Sequence, residues 1–235
     1  MKVLIFGATG MVGQGALLEC LRAPDVERVT TIVRSATGRT DAKLEEIAHG
    51  DLMNLTAIED RLRGLDACFF CLGVSSAGMQ EDAYARVTYG LTVAAGETLA
   101  ALNPGMKFLF VSGAGTDSTE KGGAMWARVK GRAENALLRL PLDAYMFRPG
   151  VIEPKDGIRS KTKAYRVGYM LMKPVMPLLR LLAPNQIVST REMGQAMLNV
   201  ARRGFGKRIL EARDIRAAAA MVPPAQQPGQ RTGTW

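Results

Sequence analysis

A strand-like run, KVLIF at residues 2–6, leads directly into the segment GATGMVGQG, and this junction constrains the fold more than any other part of the sequence. Its first three glycines recur every third residue, just where a helical pattern starts. Glycines at such a turn allow a tight strand-to-helix connection, close approach of a pyrophosphate and close helix packing, while the helix N-terminus offers unpaired N–H groups. The junction therefore predicts a dinucleotide site. Its predicted contacts are Gly7, Thr9, Gly10, Met11, Val12 and Gly13.

Strand-like and helical segments alternate along the first 150 residues. Apolar runs bounded by turn residues lie at 2–6, 29–34, 66–72, 107–112 and 143–149, and a weaker strand is predicted to end near 48–51. Helical patterns begin at Met11 and at Tyr84. Such alternation is typical of βαβ units and a parallel sheet. We expect an α/β fold, a doubly wound parallel sheet of the Rossmann type, with a small C-terminal appendage on the substrate side.

The pattern changes after residue 150. A basic loop and a proline-broken apolar segment come first, and a helix is then predicted after Ser189, which has capping-box spacing to Glu192. The run KRILEARDI is predicted to be one more strand, and the C-terminal end is rich in small residues, Pro and Gln. The predicted organisation is a nucleotide-binding core at 1–150, a substrate-side segment integrated with it at 151–215, and a flexible tail at 216–235.

The second predicted strand ends in IVRSATGR, where an NAD-specific protein would usually place a carboxylate against the ribose 2′-hydroxyl. Arg34 stands there instead. Because a guanidinium grips a 2′-phosphate in a fork and stacks on adenine, we predict that the cofactor is NADP. An ordinary surface arginine at a strand end is the alternative. Asp51 and Leu52 follow the third strand, and we expect them within reach of the adenine ring.

Composition narrows the class of protein. With 235 residues, 47% of them hydrophobic, the chain has enough apolar surface for one soluble α/β domain. No export signal and no apolar stretch of about eighteen residues is visible, so we expect a cytoplasmic protein. Cys68 and Cys71 lie three apart in a predicted strand and point to opposite faces, and His49 is the only histidine. We therefore predict no metal site.

Positive charge is concentrated in the second half of the chain. Residues 1–120 hold 10 basic and 15 acidic side chains, whereas residues 121–208 hold 18 and 5. This asymmetry suggests an anionic ligand or surface, with an ordinary solvated basic face as the alternative. No nucleic-acid-binding motif accompanies it, so we expect a small-molecule substrate. Basic residues among leucines and methionines at 161–183 suit a substrate-covering segment, which we favour, or contact with a membrane surface.

Seven features occur in a fixed order: GATGMVG, the strand-end Arg34, GDL, CLG, FVSGAG, VKGRAE and FRPGVI. The ordered set resembles the short-chain dehydrogenase/reductase superfamily, in its atypical or extended epimerase-like branch, over about residues 1–215. By this resemblance Ser112 ends the strand that carries the substrate-side serine, and Lys130 holds the nicotinamide ribose. The resemblance also places four residues at the cofactor: Leu72, Gly73, Pro149 and Val151.

One position departs from the family's pattern. Trp126 stands four residues before Lys130, where the YxxxK pattern would put the catalytic tyrosine. In the family that phenol gives or takes the proton during hydride transfer, whereas an indole N–H donates a hydrogen bond but is not a usable acid. Trp126 either stacks on the substrate or nicotinamide, or packs on the core as an ordinary helix residue. Tyr84 and Tyr89 are possible replacement acids.

Two functions stay open. The first, which we favour, is an NADP-dependent oxidoreductase or epimerase that acts on a small carbonyl or hydroxyl substrate, with a proton that comes through water, Ser112 or another tyrosine. The second is a non-catalytic NADP(H)-binding protein that signals redox state through a partner. Retained Ser112 and Lys130 favour the enzyme, and Trp126 favours the sensor. The predicted catalytic residues are Ser112, Lys130 and Trp126.

Overall fold

A parallel seven-stranded sheet forms the centre of the protein in a computed structural model that describes residues 1–34, 36–158 and 186–221. Seven strands form this sheet, and β7 and β8 form a separate pair. The strands are β1 (Lys2–Phe6), β2 (Arg28–Val33), β3 (Leu44–Ala48), β4 (Ala67–Phe70), β5 (Lys107–Val111), β6 (Asp143–Arg148), β7 (Val151–Glu153), β8 (Ile187–Ser189) and β9 (Ile209–Glu211). In the main sheet their order is β3-β2-β1-β4-β5-β6-β9. The direction of winding reverses between β1 and β4, which opens a crevice at the carboxyl ends of these strands.

Helices cover both faces of this sheet. They are α1 (Met11–Arg22), α2 (Glu81–Ala85), α3 (Leu91–Leu102), α4 (Met125–Arg139), α5 (Thr190–Arg203) and α6 (Ala212–Ala219). A 3-10 turn spans Thr56–Leu62, and a π-helical turn at Arg86–Gly90 joins α2 to α3. The helical pattern that begins near Tyr84 is therefore confirmed as one continuous helical segment with a wider turn inside it.

Two apolar cores lie on opposite faces of the sheet because side chains alternate along each strand. Val3 and Ile5 of β1 pack with α1, α5 and α6, whereas Leu4 and Phe6 pack with α3 and α4. All four side chains are fully buried. A parallel sheet covered on both faces needs apolar residues at every position, which explains why its strands read as continuous apolar runs.

Small residues bring α1 and α5 together. A Cβ at Gly15 of α1 would clash with the carbonyl oxygen of Thr190, and a Cβ at Gly194 of α5 would lie 2.8 Å from the carbonyl oxygen of Gly15. Ser189 and Glu192 form the predicted capping box at the start of α5. The first helix, whose N-terminus faces the crevice, is thus held in place by close contact with a helix far along the chain.

Strands β7 and β8 form a separate parallel pair that the sequence did not predict, with Val151 opposite Ile187. After β7 the chain turns at Asp156, whose φ of 55° is left-handed. Its carboxylate accepts a hydrogen bond from Arg191 of α5 at 2.5 Å and lies 3.7 Å from Arg22 of α1. These contacts hold the chain after β7 against α1 and α5.

The predicted fold class is confirmed, and the weak third strand is β3, which ends at Ala48. Two predictions at the C-terminal end are wrong. The run KRILEARDI is not one strand, because β9 ends at Glu211, where a capping box with Asp214 starts α6. The predicted flexible tail from residue 216 begins inside α6, whose Ala218 is fully buried.

The predicted substrate-covering or membrane-contacting segment at 161–183 lies outside the described residues, as do residues 222–235. The division of the chain into a core, a substrate-side segment and a tail therefore stays a prediction, apart from the correction at α6.

Candidate functional site

Glycine shapes the turn between β1 and α1. Gly7 has a φ of +76°, and a Cβ there would lie 2.8 Å from the carbonyl oxygen of Cys71. A Cβ at Gly13 would clash with the carbonyl oxygen of Gly7. Gly10 is less confined, because a Cβ there would meet a single described atom within 4 Å, the same carbonyl oxygen at 3.2 Å. The turn itself therefore requires Gly7 and Gly13, whereas Gly10 borders space that the described part of the chain leaves open.

The N-terminus of α1 is available to an anion. Gly10 occupies the cap position without a side-chain hydrogen bond, and the first turn, which starts with Met11 and Val12, contains no acidic residue. Gln14 donates to the carbonyl oxygen of Thr9 at 3.0 Å, which holds the approach to the helix. Unpaired N–H groups and the helix dipole attract negative charge. The residues present thus fit the pyrophosphate of a dinucleotide.

A cavity of about 380 Å³ opens beside this turn. It is lined by Ala8, Thr9, Gln14, Thr37, Gly38 and Arg39. Arg34 directly follows β2, as predicted, and its side chain is exposed. Arg39 was not predicted, although it stands five residues later in the same basic loop. Within the described ranges neither guanidinium is paired with a carboxylate.

Four further predicted contacts lie beyond the carboxyl ends of β3 and β4, on either side of the β1–β2 pair. Asp51 and Leu52 follow β3; Asp51 is exposed and accepts a backbone N–H of its own turn at 2.9 Å, while Leu52 packs against the core on the α3 side. Leu72 and Gly73 follow β4. The backbone nitrogen of Leu72 would lie 3.0 Å from a Cβ at Gly7, so the end of β4 lies directly against the glycine turn.

Ser112 and Lys130 lie together beyond the end of β5. Ser112 directly follows the strand, is 3% exposed, and donates its hydroxyl to Oε1 of Glu134 at 2.5 Å. The ammonium of Lys130 donates to the backbone carbonyl oxygen of Ser112. Burial lowers the pKa of Lys130, and the negative charge of Glu134 opposes this effect. The Ser112 hydroxyl therefore faces the protein interior and is not placed to contact a substrate.

Trp126 lies on α4 one turn before Lys130, and its side chain is half-buried. Neither apolar core of the described residues includes it. Its ring faces the loop after β5, because a Cβ at Gly115 would lie 3.3 Å from Cη2 of the indole. A Cβ at Gly113 would lie 3.7 Å from Nζ of Lys130. Trp126 and Lys130 thus both face glycines of the loop after β5. Because Gly113 and Gly115 have no side chains, neither residue fills the space beside the indole or the ammonium.

Pro149 and Val151 adjoin the same loop. The carbonyl oxygen of Pro149 accepts the N–H of Ala114 at 2.9 Å, and β7 begins at Val151. The structure thus groups the predicted nicotinamide-side residues around the segment that faces Trp126 and Lys130.

A buried ion pair behind Lys130 was not predicted. Glu134 is fully buried and Arg148 is 9% exposed. Nε of Arg148 donates to Oε1 of Glu134 at 3.0 Å, and Nη2 donates to the other carboxylate oxygen. Arg148 also donates to Ser118 at 2.6 Å and contacts Glu211 of β9 at 3.4 Å. This network joins α4 to β6, β9 and the loop after β5.

The two tyrosines considered as replacement acids have other surroundings. Tyr84 is 1% exposed, so its phenol lies inside the protein. Tyr89 packs against the core on the α3 side, and the guanidinium of Arg132 lies 4.2 Å from its ring centroid. Their packing favours a structural role for both.

Comparison with known proteins identifies the family. Residues 7–170 match the family described as NAD(P)H-binding. The chain belongs to this family. A curated relative, Protein fmp52-1, mitochondrial, from Aspergillus terreus, is 30% identical over 170 residues, which cover 69% of this chain and 70% of the relative.

Solved structures share the fold at low sequence identity. The UDP-glucuronic acid 4-epimerase of Bacillus cereus, in complex with NAD, superposes with a TM-score of 0.65 at 14% identity, over 90% of this chain and 78% of the epimerase. MoeE5 in complex with UDP-glucose and NAD gives 0.63 at 19% identity, over 90% and 75%. These structures confirm the predicted Rossmann-type fold, and the short-chain dehydrogenase/reductase superfamily is the resemblance that the motifs indicate. The family match supports a nicotinamide nucleotide as the ligand.

Cysteine and histidine take no part in this site. Cys68 packs in the α3-side core and Cys71 against the α1-side core, on opposite faces of the sheet as predicted. Burial raises the pKa of the Cys71 thiol to about 12. His49 follows β3, and its Nε2 lies 2.8 Å from the carbonyl oxygen of Asn54. In the described ranges no group of three or more His, Cys, Asp or Glu residues could hold a metal ion, and no helix there is long and apolar enough to cross a bilayer.

Proposed function

We propose that the protein is an NADP(H)-dependent oxidoreductase or epimerase that acts on a small carbonyl or hydroxyl substrate without the usual catalytic tyrosine. The observation that carries the proposal is an uncapped helix N-terminus beside a loop with two guanidiniums, Arg34 and Arg39, that lack a carboxylate partner among the described residues. The helix suits the pyrophosphate, and the guanidiniums suit a ribose 2′-phosphate, which NAD does not have.

The bound nucleotide would supply or accept the hydride. In this proposal Asp51 and Leu52 border the adenine, Leu72 and Gly73 border the middle of the nucleotide, and the Lys130 ammonium holds the nicotinamide ribose. The indole of Trp126 offers a flat apolar wall on which a substrate or the nicotinamide stacks.

A second candidate is a non-catalytic NADP(H)-binding protein that reports redox state to a partner. Two observations favour it: Trp126 replaces the acid, and the Ser112 hydroxyl is engaged with Glu134. Hydride transfer depends mainly on positioning and a polarised carbonyl, so loss of the phenol slows the chemistry without abolishing it. For this reason we place the enzyme first.

The proposal is tested by fluorescence titration of the protein with NADPH and with NADH. Charge-assisted contacts to a 2′-phosphate contribute roughly 1.5 to 3 kcal/mol, so we expect NADPH to bind about tenfold to a hundredfold more tightly. Arg34→Ala and Arg39→Ala should each reduce this preference, and Arg203→Ala, an exposed arginine of α5, should leave it unchanged. Equal affinities for the two nucleotides would contradict NADP, and a preference that survives in both variants would place the 2′-phosphate elsewhere.

Turnover separates the enzyme from the sensor. NADPH oxidation should be followed with a panel of aldehydes, ketones and 1,2-diketones, and nucleotide binding should be measured in the same preparation. Tight NADPH binding without turnover of any compound would favour the sensor. We also propose a cytoplasmic location, although the name of the Aspergillus relative says mitochondrial, and cell fractionation with a tagged chain decides between these compartments.

A further inference from the structure

Reduction of a carbonyl requires a proton for its oxygen, and the two buried hydroxyl groups of the loop after β5 are already engaged. The Ser112 hydroxyl donates to Glu134 at 2.5 Å. The Thr116 hydroxyl donates to the carbonyl oxygen of Gly113 at 2.7 Å. Both residues are buried, at 3% and 6% exposure. Neither hydroxyl is therefore ready to deliver its proton to a substrate.

Trp126, Tyr84 and Tyr89, the aromatic side chains considered above within the described residues, do not replace them. Trp126 occupies the expected position of an acid, but an indole N–H does not dissociate in the physiological range. Tyr84 is buried inside the protein, and Tyr89 packs on the core beneath Arg132. The remaining proton carrier of this region, among the described side chains, is an ammonium group.

Lys130 combines donor capacity with space that the described residues leave open. An ammonium has three N–H donors, and one of them reaches the carbonyl oxygen of Ser112. The neighbouring Gly113 has no side chain, and the position that its Cβ would occupy is 3.7 Å from Nζ. Glycine at this position thus leaves room for a substrate oxygen beside the ammonium, with Trp126 one helical turn away.

The electrostatic surroundings suit proton transfer in both directions. Burial lowers the pKa of Lys130, and the buried carboxylate of Glu134 opposes this effect. A lysine whose pKa is brought toward the working pH is a better acid than an exposed lysine and is readily reprotonated. Glu134 is fixed by its pairing with Arg148, so its influence on Lys130 is constant.

We infer that Lys130 is itself the proton donor of this site, an inference that rests on the proposed function. During reduction the carbonyl carbon receives a hydride from the reduced nicotinamide nucleotide, which is oxidised, and the π electrons of the carbonyl move to its oxygen. That oxygen takes a proton from Nζ of Lys130. The neutral amine that remains regains a proton from water. During oxidation of a hydroxyl substrate the neutral amine accepts the hydroxyl proton, and the same steps run in reverse.

The pH dependence follows from this assignment. Reduction requires the ammonium form, so its rate should fall as the pH rises through the pKa of Lys130. Oxidation requires the neutral amine, so its rate should rise over the same interval. Because burial lowers this pKa, both changes should occur below the pH at which exposed lysines titrate.

A measurement that needs no turnover tests the titration directly. Lysines are reductively methylated with ¹³C, and the resonance missing from Lys130→Arg identifies Lys130 in proton–carbon NMR spectra. The wild-type protein is then titrated with saturating NADP⁺ and without it. We expect the Lys130 resonance to titrate at a lower pH than the other lysines. A midpoint among those of the exposed lysines would overturn the inference.

Substitution of Lys130 tests whether its titration controls carbonyl reduction. Lys130→Arg keeps a cation at the ribose but holds its proton throughout the accessible pH range. We expect it to bind NADPH within about tenfold of the wild type and to lose roughly a hundredfold or more in carbonyl reduction, the factor typical of a positioned acid. Lys121→Arg, at an exposed lysine of the loop before α4, is the matched control and should keep both properties.

The outcomes separate this inference from the proposed function. If the wild type reduces a carbonyl compound and Lys130→Arg keeps its rate and pH profile, the inference is wrong while the enzyme stands. If Tyr89→Phe loses the activity and Lys130→Arg does not, the proton comes from that phenol. If NADPH binds but no compound is turned over, both the enzyme and this inference fail.

Discussion

The two sides of the crevice use different parts of the chain: backbone groups form one side, and side chains form the other. On the β1–α1 side the backbone makes the site: glycines shape the turn, and the uncapped start of α1 presents N–H groups. On the β5–α4 side the side chains make it, through Ser112, Lys130 and the buried pair of Glu134 and Arg148. Backbone groups bind any phosphate that fits, whereas the chemistry depends on individual side chains. We therefore expect the β1–α1 side to tolerate few substitutions in a nucleotide-binding protein. The side chains of the β5–α4 side instead determine which reaction is catalysed.

The difference extends to electrostatics. The nucleotide side exposes Arg34 and Arg39 to solvent, ready for an anion that arrives with its own charge. The α4 side instead contains a fully buried carboxylate whose charge is balanced inside the protein by Arg148. Exposed cations contribute to ligand binding, while a buried pair fixes geometry and becomes costly once either partner is removed.

The largest effect is expected at Trp126, where the β5–α4 side departs from the YxxxK pattern. In Trp126→Tyr a phenol would stand one helical turn from the Lys130 ammonium, whose positive charge lowers the pKa of a nearby phenol. We expect carbonyl reduction to rise on at least some substrates, by less than the full range of general acid catalysis, roughly a hundredfold to ten-thousandfold, because Lys130 already donates a proton. Steady-state rates across a pH series measure the gain. Trp126→Phe, which removes the indole without adding an acid, is the control.

The opposite result is equally informative. If Trp126→Tyr and Trp126→Phe both lose a measurable wild-type activity, the indole binds the substrate and the phenol does not reach the reacting oxygen. Unchanged activity in both variants would mean that this side chain lies outside the reaction space, and the contrast between the two sides of the crevice would then rest on Lys130 alone.

The second effect concerns the buried pair. Arg148→Met should destabilise the protein by about 3 to 5 kcal/mol, because it leaves the Glu134 carboxylate buried without its partner. The double variant Glu134→Gln with Arg148→Met removes both charges and should recover much of that loss. Urea unfolding followed by circular dichroism measures all three proteins. Asp25→Asn, which removes a carboxylate that is 41% exposed from its pair with Arg202, is the comparison and should cost less than the loss at Arg148. A loss at Arg148 no larger than that at Asp25 would contradict the role we assign to burial.

The contrast also explains which parts were predictable. The glycine turn, the individual strands up to β6 and the capping box of α5 depend on neighbouring residues, and local patterns are visible in a sequence. The ion pair of Glu134 and Arg148 joins residues 14 apart on different elements, so neither VKGRAE nor FRPGVI alone reveals it. Arg39 contributes to the cavity only because the loop after β2 folds back beside Thr9. The α6 helix was mistaken for strand and tail because two signals were not recognised: the capping pair of Glu211 and Asp214, and the three-residue spacing of the buried Ala212, Ile215 and Ala218.

The smallest effect separates two glycines that the sequence pattern treats alike. A Cβ at Gly13 would clash with the backbone carbonyl of Gly7, which cannot move without opening the turn, so Gly13→Ala should cost about 1 to 3 kcal/mol of stability and also weaken NADPH binding. A Cβ at Gly10 would meet the same oxygen at 3.2 Å and no other described atom within 4 Å, so Gly10→Ala should change stability by less than about 1 kcal/mol.

The larger substitution Gly10→Val should remain folded and lose NADPH binding, because the added methyl groups occupy the approach of the pyrophosphate. Urea unfolding and fluorescence titration of the three variants measure both properties. Normal NADPH binding by Gly10→Val would show that the glycine turn serves the fold alone, and the backbone side of the crevice would then no longer be the nucleotide site.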